Sequence, residues 1–248
     1  MPYGLYVSAE GAQAQARRME TIANNLANVD TPGFKRDMAV FQSRYTEAIN
    51  QGTDSPGSGT INDLSGGIEV LKTMTEFTRG PLKHTGVPTD MAIDGDGFFL
   101  VQRGDQSYLT RAGNFLLTPS GSLVTQAGDP VLDPAGTPVQ IEPEQPWQLT
   151  PDGSIQQAGS ATPLAMVRPE SLQDLVKVGD NLFFATGNTT ALDPSDRHVA
   201  SGHLEASGVR PTLEMMEMIE TSRAFEANVQ LIRNHDNLIG TLISGLLQ

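Results

Sequence analysis

The chain has 248 residues, no cysteine, one tryptophan and a formal net charge of −13. That length allows one or two domains with a sizeable core. The missing cysteines exclude disulfides, thiolate catalysis and cysteine-ligated zinc, and the acidic balance argues against nucleic acid, which calls for a basic footprint. The charge is uneven. Residues 1–50 hold five basic and five acidic side chains and residues 203–248 hold three and six, so the middle carries net −10. Near-neutral ends suit burial against protein. No stretch is apolar for long enough to span a bilayer, and the N-terminus shows no apolar core of a secretory signal.

The first predicted element is a helix. Leu5, Ala9, Ala12, Ala16, Met19, Ala23 and Leu26 alternate steps of four and three, a heptad seam that Ile22 widens. Its small residues allow close helix approach and supply little apolar area. The helix is expected to stop near Asn28, because Asp30-Thr31-Pro32-Gly33 follows with Pro and Gly as the central pair of a tight turn. Asn24, Asn25 and Asn28 crowd the last turn, where their amides suit free carbonyls or a neighbouring chain. Phe34-Lys35-Arg36 restarts the chain, and Ala39 to Ile49 reads as helix or strand. Gln51 to Gly67 reads as a flexible loop, and Ile68 to Val70 and Met74 to Phe77 as short strands.

From Met91 to about Phe184 the pattern is all β. Short apolar runs such as Phe98 to Val101, Tyr108 to Thr110, Asn114 to Leu117, Leu123-Val124, Val139 to Ile141, Leu164 to Val167 and Leu182 to Phe184 are separated by Gly-bearing turns. Pro169 to Val176 reads as one short helix and Gly187 to Gly202 as a polar connector. Pro211 to Gln248 closes the chain as one long helix, roughly 50 Å at ~1.5 Å per residue. Met218, Phe225, Ile232, Ile239 and Leu246 recur every seven residues, Val229 and Ile243 join them, and Leu231, Leu238 and Leu242 widen the apolar face. Thr212 is placed to cap this helix.

The expected fold is α+β. Residues 1–36 with 203–248 form a discontinuous helical assembly domain whose ends pair as a coiled coil, 37–89 form a linker and extended segment, and 90–202 form a β-rich outer domain of sandwich or barrel type.

The sequence holds little that marks catalysis. His84, His198, His203 and His235 make no helical metal spacing. Asp94-Gly95-Asp96-Gly97 resembles the opening of a calcium loop, but Phe99 stands where that loop needs Gly, so the run reads as a hairpin turn. No dinucleotide fingerprint, Walker loop, nucleophile elbow or His-Glu-x-x-His is present. The reading is a non-enzyme with no catalytic residue, cofactor or metal.

Three stretches then carry a resemblance. They are Met19-Glu20-Thr21-Ile22-Ala23-Asn24-Asn25-Leu26-Ala27-Asn28 with Thr31-Pro32-Gly33-Phe34-Lys35-Arg36, then Asp90-Met91-Ala92-Ile93-Asp94-Gly95-Asp96-Gly97-Phe98-Phe99 with Thr110-Arg111-Ala112-Gly113-Asn114-Phe115, and finally Gly202-His203-Leu204-Glu205-Ala206-Ser207 with Arg223-Ala224-Phe225-Glu226-Ala227-Asn228. Together they resemble the flagellar axial family of rod and hook proteins. Size and the central block are similar to rod proteins of the FlgF and FlgG types, and Gly80-Pro81-Leu82 with Thr85-Gly86-Val87-Pro88 leans toward FlgF, the proximal type. One departure is Ser207-Gly208-Val209, where the family usually has Ser-Asn-Val.

The resemblance implies a structural subunit of the basal-body rod, a drive shaft that passes torque from rotor to hook across the periplasm. It implies export through the flagellar type III apparatus without a cleaved signal. The implied partners are other rod subunits and further copies of the chain in a helical tube, with no nucleic acid, small-molecule substrate or membrane insertion. The expected assembly interface comprises Leu5, Ala12, Met19, Ile22, Asn24, Asn25, Leu26, Asn28, Met218, Phe225, Val229, Ile232, Ile239 and Leu246. The alternative reading is a secreted acidic β-domain, a binding or adhesion module oligomerised by its heptad helices.

Overall fold

The computed structural model describes residues 3–43, 45, 49, 51–55, 57, 58, 60 and 67–246. The chain divides into two compact units, one of residues 1–27, 37–76 and 210–248, the other of residues 28–36 and 77–209. We call them the helical unit and the β unit.

The helical unit contains α1 (Tyr3–Ala27), β1 (Arg36–Ser43, entering from the β unit), β2 (Ile68–Glu76) and α2 (Pro211–Leu246). β1 pairs with β2 in a two-stranded sheet, and both α2 and β2 pack on α1. The segment read as a linker therefore contributes a ribbon to the helical unit, and the two short strands expected over 68–77 form one. Much of the loop expected over 51–67 lies outside the described residues. α1 ends where Thr31 closes a turn, its N–H donating to the Asn28 carbonyl at 3.2 Å and its hydroxyl to Asn28 Oδ1 at 3.1 Å. α2 begins at Pro211, which has no N–H to leave unsatisfied in a first turn. The Arg210 carbonyl accepts from Leu213 and Glu214, both at 3.1 Å, so Thr212 sits inside the helix instead of capping it.

In the β unit, the strands in chain order are β3 (Leu82–His84), β4 (Met91–Ile93), β5 (Phe98–Arg103), β6 (Gln106–Thr110), β7 (Leu116–Leu117), β8 (Leu123–Val124), β9 (Trp147–Leu149), β10 (Ser154–Gln157), β11 (Ser160–Pro163), β12 (Met166–Pro169), β13 (Leu175–Gly179), β14 (Leu182–Ala185), β15 (Thr189–Ala191), β16 (Val199–Ser201) and β17 (His203–Glu205). The largest sheet has six strands in the order β13-β14-β6-β5-β12-β15, every pair antiparallel. β5 reads as an unbroken apolar run because both its faces are covered. Phe99 and Val101 enter the main core with Phe115, Leu123, Leu164 and Leu182. Phe98 points the other way, into a second core with Leu109, Leu175 and Phe183 that Phe77 closes, its ring 6.0 Å from Phe98 and 5.3 Å from Phe183.

This body is α+β's β half without being a closed barrel: β13 and β15 remain edges, and the other described strands form a meander β11-β10-β9 and the ribbons β16-β4, β17-β3 and β7-β8. Val139 to Ile141, expected as a strand, is held by single bridges beside it, Ser122 to Gln140 and Leu132 to Pro138. A proline cannot donate to a ladder. The expected short helix over 169–176 shrinks to a 3₁₀ turn, Leu172–Asp174, before β13. The expected connector 187–202 instead holds β15 and β16, because the buried Leu192 and Val199 anchor a polar stretch to the main core.

Candidate functional site

In the helical unit the organising residue is Asn25, 1% exposed. Its carboxamide imitates a peptide group. Nδ2 donates to the Asp37 carbonyl at 2.8 Å, and Oδ1 accepts from the Asp37 N–H at 2.9 Å. The second Nδ2 hydrogen goes to Glu214 Oε2 at 3.2 Å. One side chain thereby joins α1, β1 and α2, with each amide group engaged. Glu214 is itself 1% exposed.

The helix seam runs one residue earlier along α1 than the alanine pattern suggests. A Cβ on Gly4 would lie 3.0 Å from the His235 ring, and one on Gly11 3.1 Å from the Asn228 amide. Gly4–His235, Gly11–Asn228 and Asn25–Glu214 keep one antiparallel register, α1 advancing by seven or fourteen residues as α2 recedes by the same. Arg18, seven residues after Gly11, reaches Glu217 at 3.6 Å, one turn from the register position Thr221. Ala9 and Ala23, expected in the seam, are exposed. At both glycines a side chain of α2 takes the space a Cβ would fill, and alanine flanks them.

Of the expected interface residues, Ala12 and Ile22 are buried, and Leu5, Met19, Leu26, Met218, Phe225, Val229, Ile232 and Ile239 are half-buried. Asn24 is exposed, Asn28 sits in the turn after α1, and the side chain of Leu246 lies outside the described residues. The residues that pattern reading missed are Gly4, Gly11, Glu214, Asn228 and His235. Their signal was present: Glu214, Thr221, Asn228 and His235 form a second seven-residue series, four residues before Met218, Phe225, Ile232 and Ile239. It is polar, so a search for apolar periodicity passes over it.

α2 also carries an uncovered apolar stripe. Leu213, Leu231, Leu238 and Leu242 share one side of the helix and are 46%, 49%, 60% and 66% exposed. Leu231, Leu238 and Leu242 had been expected to widen the seam.

In the β unit, the three quoted stretches meet in one buried ion cluster. Lys35 Nζ lies 2.6 Å from Glu205 Oε1 and donates to the Thr78 carbonyl at 3.0 Å. Arg111 Nη1 lies 3.5 Å from Glu205 Oε2, and its other contacts are the Ile93 and Gly95 carbonyls and the Phe98 ring. Gly80 N–H also donates to Glu205 Oε1, at 3.0 Å. Exposures of 1%, 5% and 2% for Lys35, Arg111 and Glu205 put all three charges in the interior. Burial pulls the Lys35 ammonium below its ordinary value, against the counter-pull of the Glu205 carboxylate, and burial likewise lowers Arg111.

The residues before Lys35 are fastened to the same place. Gly33 N–H donates to the Glu205 carbonyl at 2.8 Å, Asn181 to the Pro32 carbonyl at 3.0 Å, and Lys177 Nζ sits 3.8 Å over the Phe34 ring. Gly33 has φ of 68°, and a Cβ there would fall 2.5 Å from the Arg111 carbonyl carbon. Gly33→Ala is therefore expected to cost about 2–4 kcal/mol, combining left-handed strain with overpacking. Urea unfolding followed by Trp147 fluorescence measures it, since Trp147 lies in β9.

Two terminal helices with a fastened β body define an axial-type subunit, and the comparisons with known proteins agree. Residues 5–35 match the family "Flagella basal body rod protein", 92–162 the "Flagellar hook protein FlgE/F/G D1 domain", and 200–245 the "Flagellar basal body rod FlgEFG protein C-terminal" family. The flagellar basal-body rod protein FlgF of Caulobacter vibrioides is 34% identical over 248 residues, covering 99% of this chain and 98% of that protein. FlgG of Bacillus subtilis is 32% identical over 262 residues, covering 97% of each. The flagellar hook protein FlgE of Treponema pallidum is 35% identical over 126 residues, 50% of this chain and 27% of that protein. The chain belongs to the flagellar basal-body rod proteins of the FlgF/FlgG type.

Proposed function

We propose that the chain is a structural subunit of the flagellar rod, and that α1 and α2 are the elements through which it joins its neighbours. The observation that carries this is the uncovered stripe of Leu213, Leu231, Leu238 and Leu242. A long helix that satisfies one face on α1 and leaves a second apolar face in water is built for a further partner. The stacking is head to tail and open, as a rod requires. Of the interface residues expected from sequence, those half-buried beside the seam form its rim and are available to a neighbour once the helices align. The partners are other rod subunits and copies of the chain, and torque transmission is the role. Passage through the flagellar type III apparatus is part of the same reading; no described helix is long and apolar enough to cross a membrane.

Between the two rod types, we favour the proximal, FlgF-like position. Gly80-Pro81-Leu82 and Thr85-Gly86-Val87-Pro88 support it.

The test is the double variant Leu231→Asp/Leu238→Asp, expressed in a strain lacking the gene. Both residues are exposed, so unfolding of the purified chain should shift by no more than about 0.5 kcal/mol. Swarming and hook formation should be lost. Normal motility with a normally folded variant would remove the assembly role from this stripe. Where basal bodies of the null strain stop in electron micrographs distinguishes a proximal from a distal position.

A further inference from the structure

We propose that His84 and His203 form a binding site for a divalent transition-metal ion of the zinc, copper or nickel class, independent of the helical assembly face. The two histidines lie directly opposite each other where β3 pairs with β17. Thr85 N–H donates to the Gly202 carbonyl at 2.8 Å and Ala206 N–H to the Pro81 carbonyl at 2.9 Å. Those bonds flank 84:203 at odd steps, so this pair occupies the non-hydrogen-bonded position, where cross-strand side chains come closest. The imidazole centroids are 4.7 Å apart, with the planes inclined by 56°.

The hydrogen bonding prepares one ring for a metal. His203 Nδ1 lies 2.8 Å from the Ser201 carbonyl. A carbonyl only accepts, so Nδ1 carries the proton and the neutral ring keeps its lone pair on Nε2. A backbone carbonyl on the far nitrogen is what holds a metal-bound imidazole in its tautomer. On the other ring, the nearest heavy atom to a Cβ built on Gly86 would be His84 Nε2, at 3.8 Å. With glycine at 86 no side chain occupies that approach. His84 is exposed and His203 half-exposed, so an ion reaches both from solvent.

Two imidazoles favour zinc, copper or nickel over magnesium and calcium, which prefer oxygen. No cluster of three or more His, Cys, Asp or Glu able to hold a metal occurs among the described residues, so water completes the shell and the site exchanges its ion. Binding straps β3 to β17 at the strand that leads into Glu205.

Titration of the full-length protein with zinc chloride alone tests this by calorimetry and by the histidine ring-proton NMR signals. The expected result is one equivalent, with the His84 and His203 signals shifting together, and with the zinc-loaded and zinc-free spectra becoming the same when both are taken to about pH 5, where protons displace a metal from imidazole. His84→Gln and His203→Gln should each weaken binding at least about tenfold, as loss of a ligand from a chelate does, and His198→Gln should not change it. Calcium should not compete. Zinc binding that survives both variants, signals that shift independently, or no stoichiometric binding would overturn the proposal. The wild-type signals decide the matter even if a variant fails to fold. Motility has no part in the readout, so the outcome is separate from that of the rod reading.

Discussion

Glu205→Ala is expected to destabilise the β unit by about 3–5 kcal/mol. Among the described residues, Glu205 is the anion in contact with Lys35 and Arg111, and it also takes the Gly80 N–H. Its removal leaves two buried cations facing each other without a counter-charge. At both cations burial already outweighs the opposing pull of the Glu205 carboxylate in the native chain. Lys35→Met should cost less than Glu205→Ala, because it loses the bonds to Glu205 and to the Thr78 carbonyl but leaves Arg111 and Glu205 as a neutral pair. Urea denaturation of both variants, read through Trp147, gives the order directly. Equal losses would mean that the cluster is held by packing and not by its charges.

The second large effect is in the helical unit. Asn25→Asp should cost about 3–5 kcal/mol at neutral pH, since it sets a carboxylate against Glu214 with almost no solvent and places an acceptor opposite the Asp37 carbonyl. One of the two carboxyls must then keep a proton to stay buried. The folded variant binds more protons than its unfolded chain, so its stability falls as pH rises from about 4, the ordinary carboxyl range, toward neutrality. Helical dichroism during urea unfolding should show near-native stability at about pH 4, short by about 1 kcal/mol for the lost bond to Asp37. A deficit that does not change with pH would mean that geometry and not charge sets the requirement for asparagine.

The helices were legible in the sequence because their periodicity is strong and Pro32-Gly33 and Pro211 punctuate them. The seam was not, for a physical reason. Apolar patterning finds where area is buried, whereas this contact is set by where polar side chains of α2 pack against glycines of α1. That place is marked by Gly4 and Gly11 and by polar side chains such as Asn228 and Asn25. The alternating faces of β5 were visible as an unbroken apolar run, but the run did not reveal that Phe98 and Phe99 serve different cores. The meeting of Lys35, Arg111 and Glu205 had no local signal at all, since the three are brought together from positions 76 and 94 residues apart by strand pairing. Asn25 was legible only as an amide suited to free carbonyls or to a neighbouring chain; in the structure it meets a backbone carbonyl of its own chain, because a buried carboxamide in the last turn of α1 is at the right height to mimic a strand residue beside Asp37.

The backbone passes between the two units four times, at 27/28, 36/37, 76/77 and 209/210. Inside the β unit those passages are laced together: Gly33 to Glu205, Gly208 to Phe34, Lys35 to Thr78, and Gly80 to Glu205. Each of these segments is thus bonded to another of them, so none is drawn out of the β unit without breaking a tie to its neighbour. Four laced segments make a splice, and a splice keeps the entering and leaving ends of the β unit together.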